Sequence, residues 1–169
     1  MLRQLAVVFL FCATAAPAQD RNPQIDYAGF QQLTGEVSAY RQARLLSWSE
    51  FDAAARQGAL LLDARSADAY AAGHIRGAIN LPLTDFTAES LARVIGTGDR
   101  PILIYCNNNF ANDRPPVMKK AVALALNIQT FINLVGYGYP NVRELNEVVD
   151  FNDARIGWVK GRSPQGDPA

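Results

Sequence analysis

Histidine occurs once in this chain, as His74, and cysteine twice, as Cys12 and Cys106. That inventory cannot fill the four-ligand set of a structural zinc site. Nor can it staple a small disulfide scaffold. No apolar run reaches the roughly 18 residues of a membrane-spanning helix. Neither sign of charge is in excess: 16 Lys and Arg balance 16 Asp and Glu over 169 residues. With no long basic run either, nothing marks a nucleic-acid surface. The remaining composition, 49% hydrophobic and 19% charged, is that of a globular domain rather than a disordered chain. The length suits one domain with tails.

The first 18 residues read as a secretory signal peptide. Arg3 supplies the positive start, Leu5 to Ala13 are nearly all apolar, and Ala16-Pro17-Ala18 is a small-x-small cleavage site. Export is therefore expected, to the periplasm if the source is Gram-negative, with no membrane span after cleavage. Cys12 would leave with the leader, so Cys106 would stand alone. A single cysteine in an exported chain is a reactive thiol, an intermolecular partner or an inert buried side chain. The expected division is leader 1–18, linker and lead-in helix 19–43, folded domain 44–150 and loose tail 151–169.

Within the domain, strand and helix signals alternate. Leu60 to Leu62, stopped by Asp63, and Ile102 to Tyr105 read as buried strands, with a strand piece at Ala78 to Leu81. Helices are expected over Ser49 to Arg56, Ala67 to Ala72 and Thr87 to Ile95. A further helix is expected from Pro115-Pro116 through Leu126, a strand over Thr130 to Leu134, and a last helix over Val142 to Val149. Such alternation predicts an α/β fold, a parallel sheet with helices on both faces. Ligands bind such sheets beyond the carboxyl ends of the strands, where Asp63 and Cys106 both fall.

Cys106 opens a polar stretch: Asn107, Asn108, Asn109, Phe110, Ala111, Asn112, Asp113, Arg114. Backbone amides in such a loop can form an anion-binding nest. A following helix N-terminus and Arg114 would further favour thiolate over thiol. Phe110 either walls the pocket or anchors the loop. A plain strand-to-helix connection around a buried cysteine is the bland alternative.

Leu61-Leu62-Asp63-Ala64-Arg65, then Gly73-His74-Ile75-Arg76-Gly77-Ala78, then a strand ending in Cys106, resembles the rhodanese-like domain over about residues 45–149. The resemblance implies a sulfurtransferase that carries a persulfide on Cys106 and needs no metal or cofactor. Its partners would be a small sulfur-containing anion and an acceptor, a thiol (a protein thiol included) or a cyanide-like species. It implies that Asp63, Arg65 and His74 support the loop, and that Tyr137 and Tyr139 either rim the pocket or simply pack. Seven residues separate Cys106 from Arg114 and none is glycine. The family's usual loop is shorter, Cys-x-x-Gly-x-Arg. Two further readings therefore stand beside sulfur transfer: a phosphatase-like thiolate enzyme clamping an oxyanion ester with Arg114, and a non-catalytic anion- or protein-binding module.

Overall fold

A computed structural model describes residues 22–160. The expected leader and the last nine residues of the expected tail lie outside the described residues.

The chain opens with α1 (Tyr27–Gln42), capped by Asp26, and enters β1 (Leu45–Leu46). Next comes α2 (Trp48–Arg56), whose cap is Ser47 rather than the expected Ser49. Ser47 and Glu50 close a reciprocal capping box, which satisfies two otherwise orphaned donors. Ser47→Ala is expected to cost about 1 kcal/mol in urea unfolding, against a near-neutral Ser49→Ala control. The next elements are β2 (Leu60–Asp63), α3 (Ala67–Ala72), β3 (His74–Ile75), β4 (Ile79–Asn80) and α4 (Ala88–Ile95). After them come β5 (Ile102–Tyr105), α5 (Leu126–Gly136), β6 (Val142–Leu145) and β7 (Trp158–Val159).

Five strands form one sheet in the order β1-β6-β5-β2-β4, and every pairing is parallel. Side chains alternate across it with period two. Leu60, Leu62, Ile102, Ile104 and Val142 share one core with Val37, Leu91, Phe131 and Leu134 from α1, α4 and α5. Leu61, Leu103, Tyr105 and Leu145 share the other with Phe51, Tyr70 and Phe110. The expected α/β architecture with two covered faces is therefore present.

Three expected elements are corrected. Thr130 to Leu134 is helix, not strand, inside α5. That helix lies between the sheet and α1, with Tyr40 edge-on to Phe131. Two buried sides make its apolar residues nearly continuous and hide the helical period. Val142 to Leu145 is strand, not helix; its alternation was masked because the buried position 144 is a glutamate. The stretch from Pro115 forms no α-helix before Leu126, with only a 3-10 turn at Val122–Leu124. Two adjacent prolines remove two backbone donors, and side chains strap this segment down instead.

The expected loose tail is also partly structured. β7 pairs antiparallel with β3, Ile156 is buried, and Phe151 stacks on Trp158. Among the described residues no helix is long and apolar enough to cross a membrane.

Candidate functional site

Sheet parity decides what surrounds the sulfur. Cys106 follows β5 by one residue and continues the Ile102, Ile104 face. On that face β6 sets Glu144 beside Ile104 in register, and α5 begins. Ala125, at the N-cap of α5, offers no side-chain acceptor. The first helical amides are thus left open, and those of Leu126 and Asn127 point to the Cys106 sulfur. Asn108 adds a third amide, while the Asn109 amide donates to the Cys106 carbonyl at 3.1 Å and closes the turn. Two of these three amides come from a helix that begins twenty residues after the cysteine.

Ionisation of this sulfur is a contest. Burial pushes the thiol up, and Cys106 is only 1% exposed. The amides of Asn127, Asn108 and Leu126 pull it down, while the Glu144 carboxylate adds to the upward push. Burial and the carboxylate prevail, and the thiol titrates above its ordinary value. The sequence led to the opposite expectation, because it showed the donors and not the carboxylate.

The asparagines are the fasteners of the loop. Asn109 Oδ1 accepts from the Cys106 amide at 2.9 Å and from Asn127 Nδ2 at 2.8 Å. Its Nδ2 donates to the carbonyls of Leu145 and Glu147. Asn108 makes a two-point contact with the Lys120 backbone, and Asn107 donates to the Met118 carbonyl. Asn112 accepts from the Phe151 amide and donates to Asp150. Phe110 is fully buried against Tyr105 and Trp158, so it anchors the loop rather than walling a pocket. Ala111 donates to the Val149 carbonyl, and Asp113 accepts from the Lys119 amide.

Arg114 is not brought to the sulfur. Its guanidinium lies 5.3 Å from the centre of the Phe151 ring and borders a separate cleft with Trp158 and Lys160. Arg114 and Cys106 line different cavities, so no Arg114 clamp faces the sulfur.

Asp63, Arg65 and His74 belong to the other face. β2 and β5 register Asp63 against Tyr105, on the parity of Leu61 and Leu103. Asp63 accepts Arg65 Nε at 2.9 Å, Arg65 Nη2 at 2.5 Å and the Tyr105 hydroxyl at 2.6 Å. Arg65 Nη2 also donates to the Gly73 carbonyl, and Nη1 reaches Asn107 Oδ1 at 3.5 Å. The group therefore touches the cysteine loop at one point. Burial opposes the Arg65 charge, but hydrogen bonds and attraction from Asp63 outweigh it, and its pKa is raised. Tyr105 is held well above its ordinary value by burial and by the Asp63 charge. His74 stacks flat on Tyr70, ring centres 3.8 Å apart, with Nδ1 2.9 Å from the Tyr70 carbonyl oxygen. Neither Tyr137 nor Tyr139 rims the sulfur. Tyr137 donates to the Phe86 carbonyl, and Tyr139 is buried in the α5 core.

Sequence reasoning missed three side chains here: Glu144, Asn127 and Arg41. Glu144 accepts Arg41 Nε and Nη2, both at 2.6 Å. It also accepts from Asn127 Nδ2 at 3.2 Å. With Cys106 these residues line a cavity of about 230 Å3. Asn127 Oδ1 is buried there with no partner, an acceptor available to a ligand. Recognising residues 142–145 as a strand would have put Glu144 on the cysteine's face; no local signal pointed to Arg41. Asn108 is shared with a larger cavity of about 630 Å3, which Arg65 and Lys120 border and Cys106 does not. Among the described residues no cluster of three or more metal-ligating side chains exists.

Comparison with known proteins follows the sheet. The family model described as Rhodanese-like domain matches residues 47–147. A curated relative, the HTH-type transcriptional regulator Rv0324 of Mycobacterium tuberculosis, is 31% identical over 115 residues, 68% of this chain. The alignment covers 47% of that protein, so the chain spans about half its length. Among solved structures, the Rhodanese_3-like domain of the Alr3790 protein from Anabaena sp. is 19% identical with a TM-score of 0.45, covering 62% of this chain and 94% of that one. The polysulfide-sulfur transferase of Wolinella succinogenes is 15% identical with a TM-score of 0.43, covering 72% and 79%.

Proposed function

Because this chain belongs to the rhodanese-like domain family, we propose that it transfers sulfane sulfur through a persulfide on Cys106. The observation that carries this reading is the convergence of three backbone amides, those of Asn108, Leu126 and Asn127, on one sulfur at the carboxyl edge of the sheet. Such an arrangement suits an anionic sulfur better than a neutral one.

The thiol first gives its proton to solvent. The thiolate then attacks the outer sulfur of a donor such as thiosulfate. The donor's S–S bond breaks and sulfite leaves with the electron pair. The new Cys106 persulfide carries its charge on the terminal sulfur, within reach of the amides. A thiolate or cyanide-like acceptor attacks that sulfur, and Cys106 departs as thiolate. The cavity of about 230 Å3 admits a small donor or the tip of an extended thiol. Export of the mature chain belongs to the same reading.

The phosphatase-like reading loses its clamp, because Arg114 borders a different cleft. The binding-module reading keeps one specific support, a thiol whose ionisation burial opposes. A relative named as a transcriptional regulator shares the same region.

Intact-mass measurement after incubation with thiosulfate separates the two. One added sulfur of about 32 Da is expected, localised to Cys106 and absent from Cys106→Ser. No adduct from thiosulfate or polysulfide on the folded protein would leave the module reading standing.

A further inference from the structure

We propose that Arg41, on the lead-in helix, is a positioning residue for Cys106: its two-point pairing with Glu144 masks the carboxylate beside the sulfur and keeps the thiol usable. The inference rests on Cys106 being the reactive group. It assigns a role to α1, which lies outside the 47–147 span matched by the family model.

The geometry is direct. Arg41 sits in the last turn of α1 and holds both Glu144 oxygens, at 2.6 Å each. The Glu144 side chain is 6% exposed and that of Arg41 24%. Asn127 ties this pair to the sulfur. Its side chain donates to Glu144 and to Asn109, while its backbone amide faces Cys106. The charged groups bordering the cavity are Arg41 from α1, Glu144 from β6 and Glu147 just after it. Arg41 is the one cation among them, and its partner is the carboxylate whose charge opposes ionisation of the thiol. A bare carboxylate in this position would make thiolate formation harder, and a persulfide anion harder still. With the guanidinium in place, part of the carboxylate's charge is offset at the sulfur.

The test reads alkylation rate against pH, without any sulfur donor. Arg41→Gln is expected to move the midpoint of the iodoacetamide profile upward by on the order of one pH unit. Glu144→Gln is expected to move it downward, and the Arg41→Gln/Glu144→Gln double variant to fall between. Arg41→Lys, which restores charge without the fork, should recover part of the shift. A purely structural role for Arg41 would change thermal stability and leave these midpoints where they are. If Arg41→Gln fails to fold, the gap between Glu144→Gln and the double variant reads the same guanidinium charge. Midpoints within about 0.2 units of wild type in all folded variants would overturn the proposal. Failure of sulfur loading with the midpoints shifted as expected would instead sink the sulfur-transfer reading and leave this one intact.

Discussion

Asp63→Asn is expected to lower the free energy of unfolding by about 3–5 kcal/mol. The substitution keeps shape, removes the charge and replaces one acceptor oxygen with an NH2 donor that faces other donors. It strands Arg65, which is 3% exposed, without a counter-ion. It also weakens the acceptor for the Tyr105 hydroxyl, 2.6 Å from Asp63 in the same buried group. A buried charge without its partner is one of the few causes of losses this large. Urea denaturation checks it, as a fall in midpoint at unchanged slope. A loss below about 1 kcal/mol would mean that water reaches Arg65, as at an exposed ion pair. The sulfur itself lies on the other face of the sheet. Any fall in Asp63→Asn sulfur loading should therefore track the unfolded fraction, apart from the single contact between Arg65 and Asn107.

Asn109→Ala acts on the sulfur side and should reduce sulfur loading by about 100-fold, the scale of a reacting group misplaced by an ångström. One side chain accepts from the Cys106 and Asn127 nitrogens and donates to Leu145 and Glu147. Truncation orphans the buried Cys106 amide and the Leu145 carbonyl, a loss of about 2–4 kcal/mol in stability. It also releases the turn that aims the Asn108 amide. Asn109→Asp separates the two effects. It retains the acceptor for Cys106, loses the donors to β6 and places a negative charge near the sulfur. Its alkylation midpoint should rise, and its stability should fall at least as far as that of Asn109→Ala, because an unpaired carboxylate then faces two carbonyl oxygens. Wild-type loading rates in Asn109→Ala would show that the α5 amides alone suffice to hold the sulfur.

These two predictions mark how far the site could be read in advance. Asp63, Arg65 and Cys106 were placed at the correct edge by their position after apolar runs. Parity along Leu60–Asp63 and Ile102–Tyr105 would also have separated them onto opposite faces. The asparagine loop was singled out for tight backbone turns and a following helix. Its side chains instead bind a distant backbone, and the amides come partly from α5. Arg114 looked like a clamp by its proximity in the chain, but its ring contact is with Phe151.

The amino-acid sequence by itself determined the parallel α/β sheet, its carboxyl edge and the cysteine, Cys106, placed there. These follow from short-range rules: alternation within a strand, stop residues, caps and spacing. The tertiary structure decided what that thiol experiences. Arg41 and Glu144 meet across 103 residues. α5 takes its place because α1 covers its outer side. Charge and burial act through space, so the balance that sets the ionisation of Cys106 exists only once the helix, the strand and the loop have packed around it.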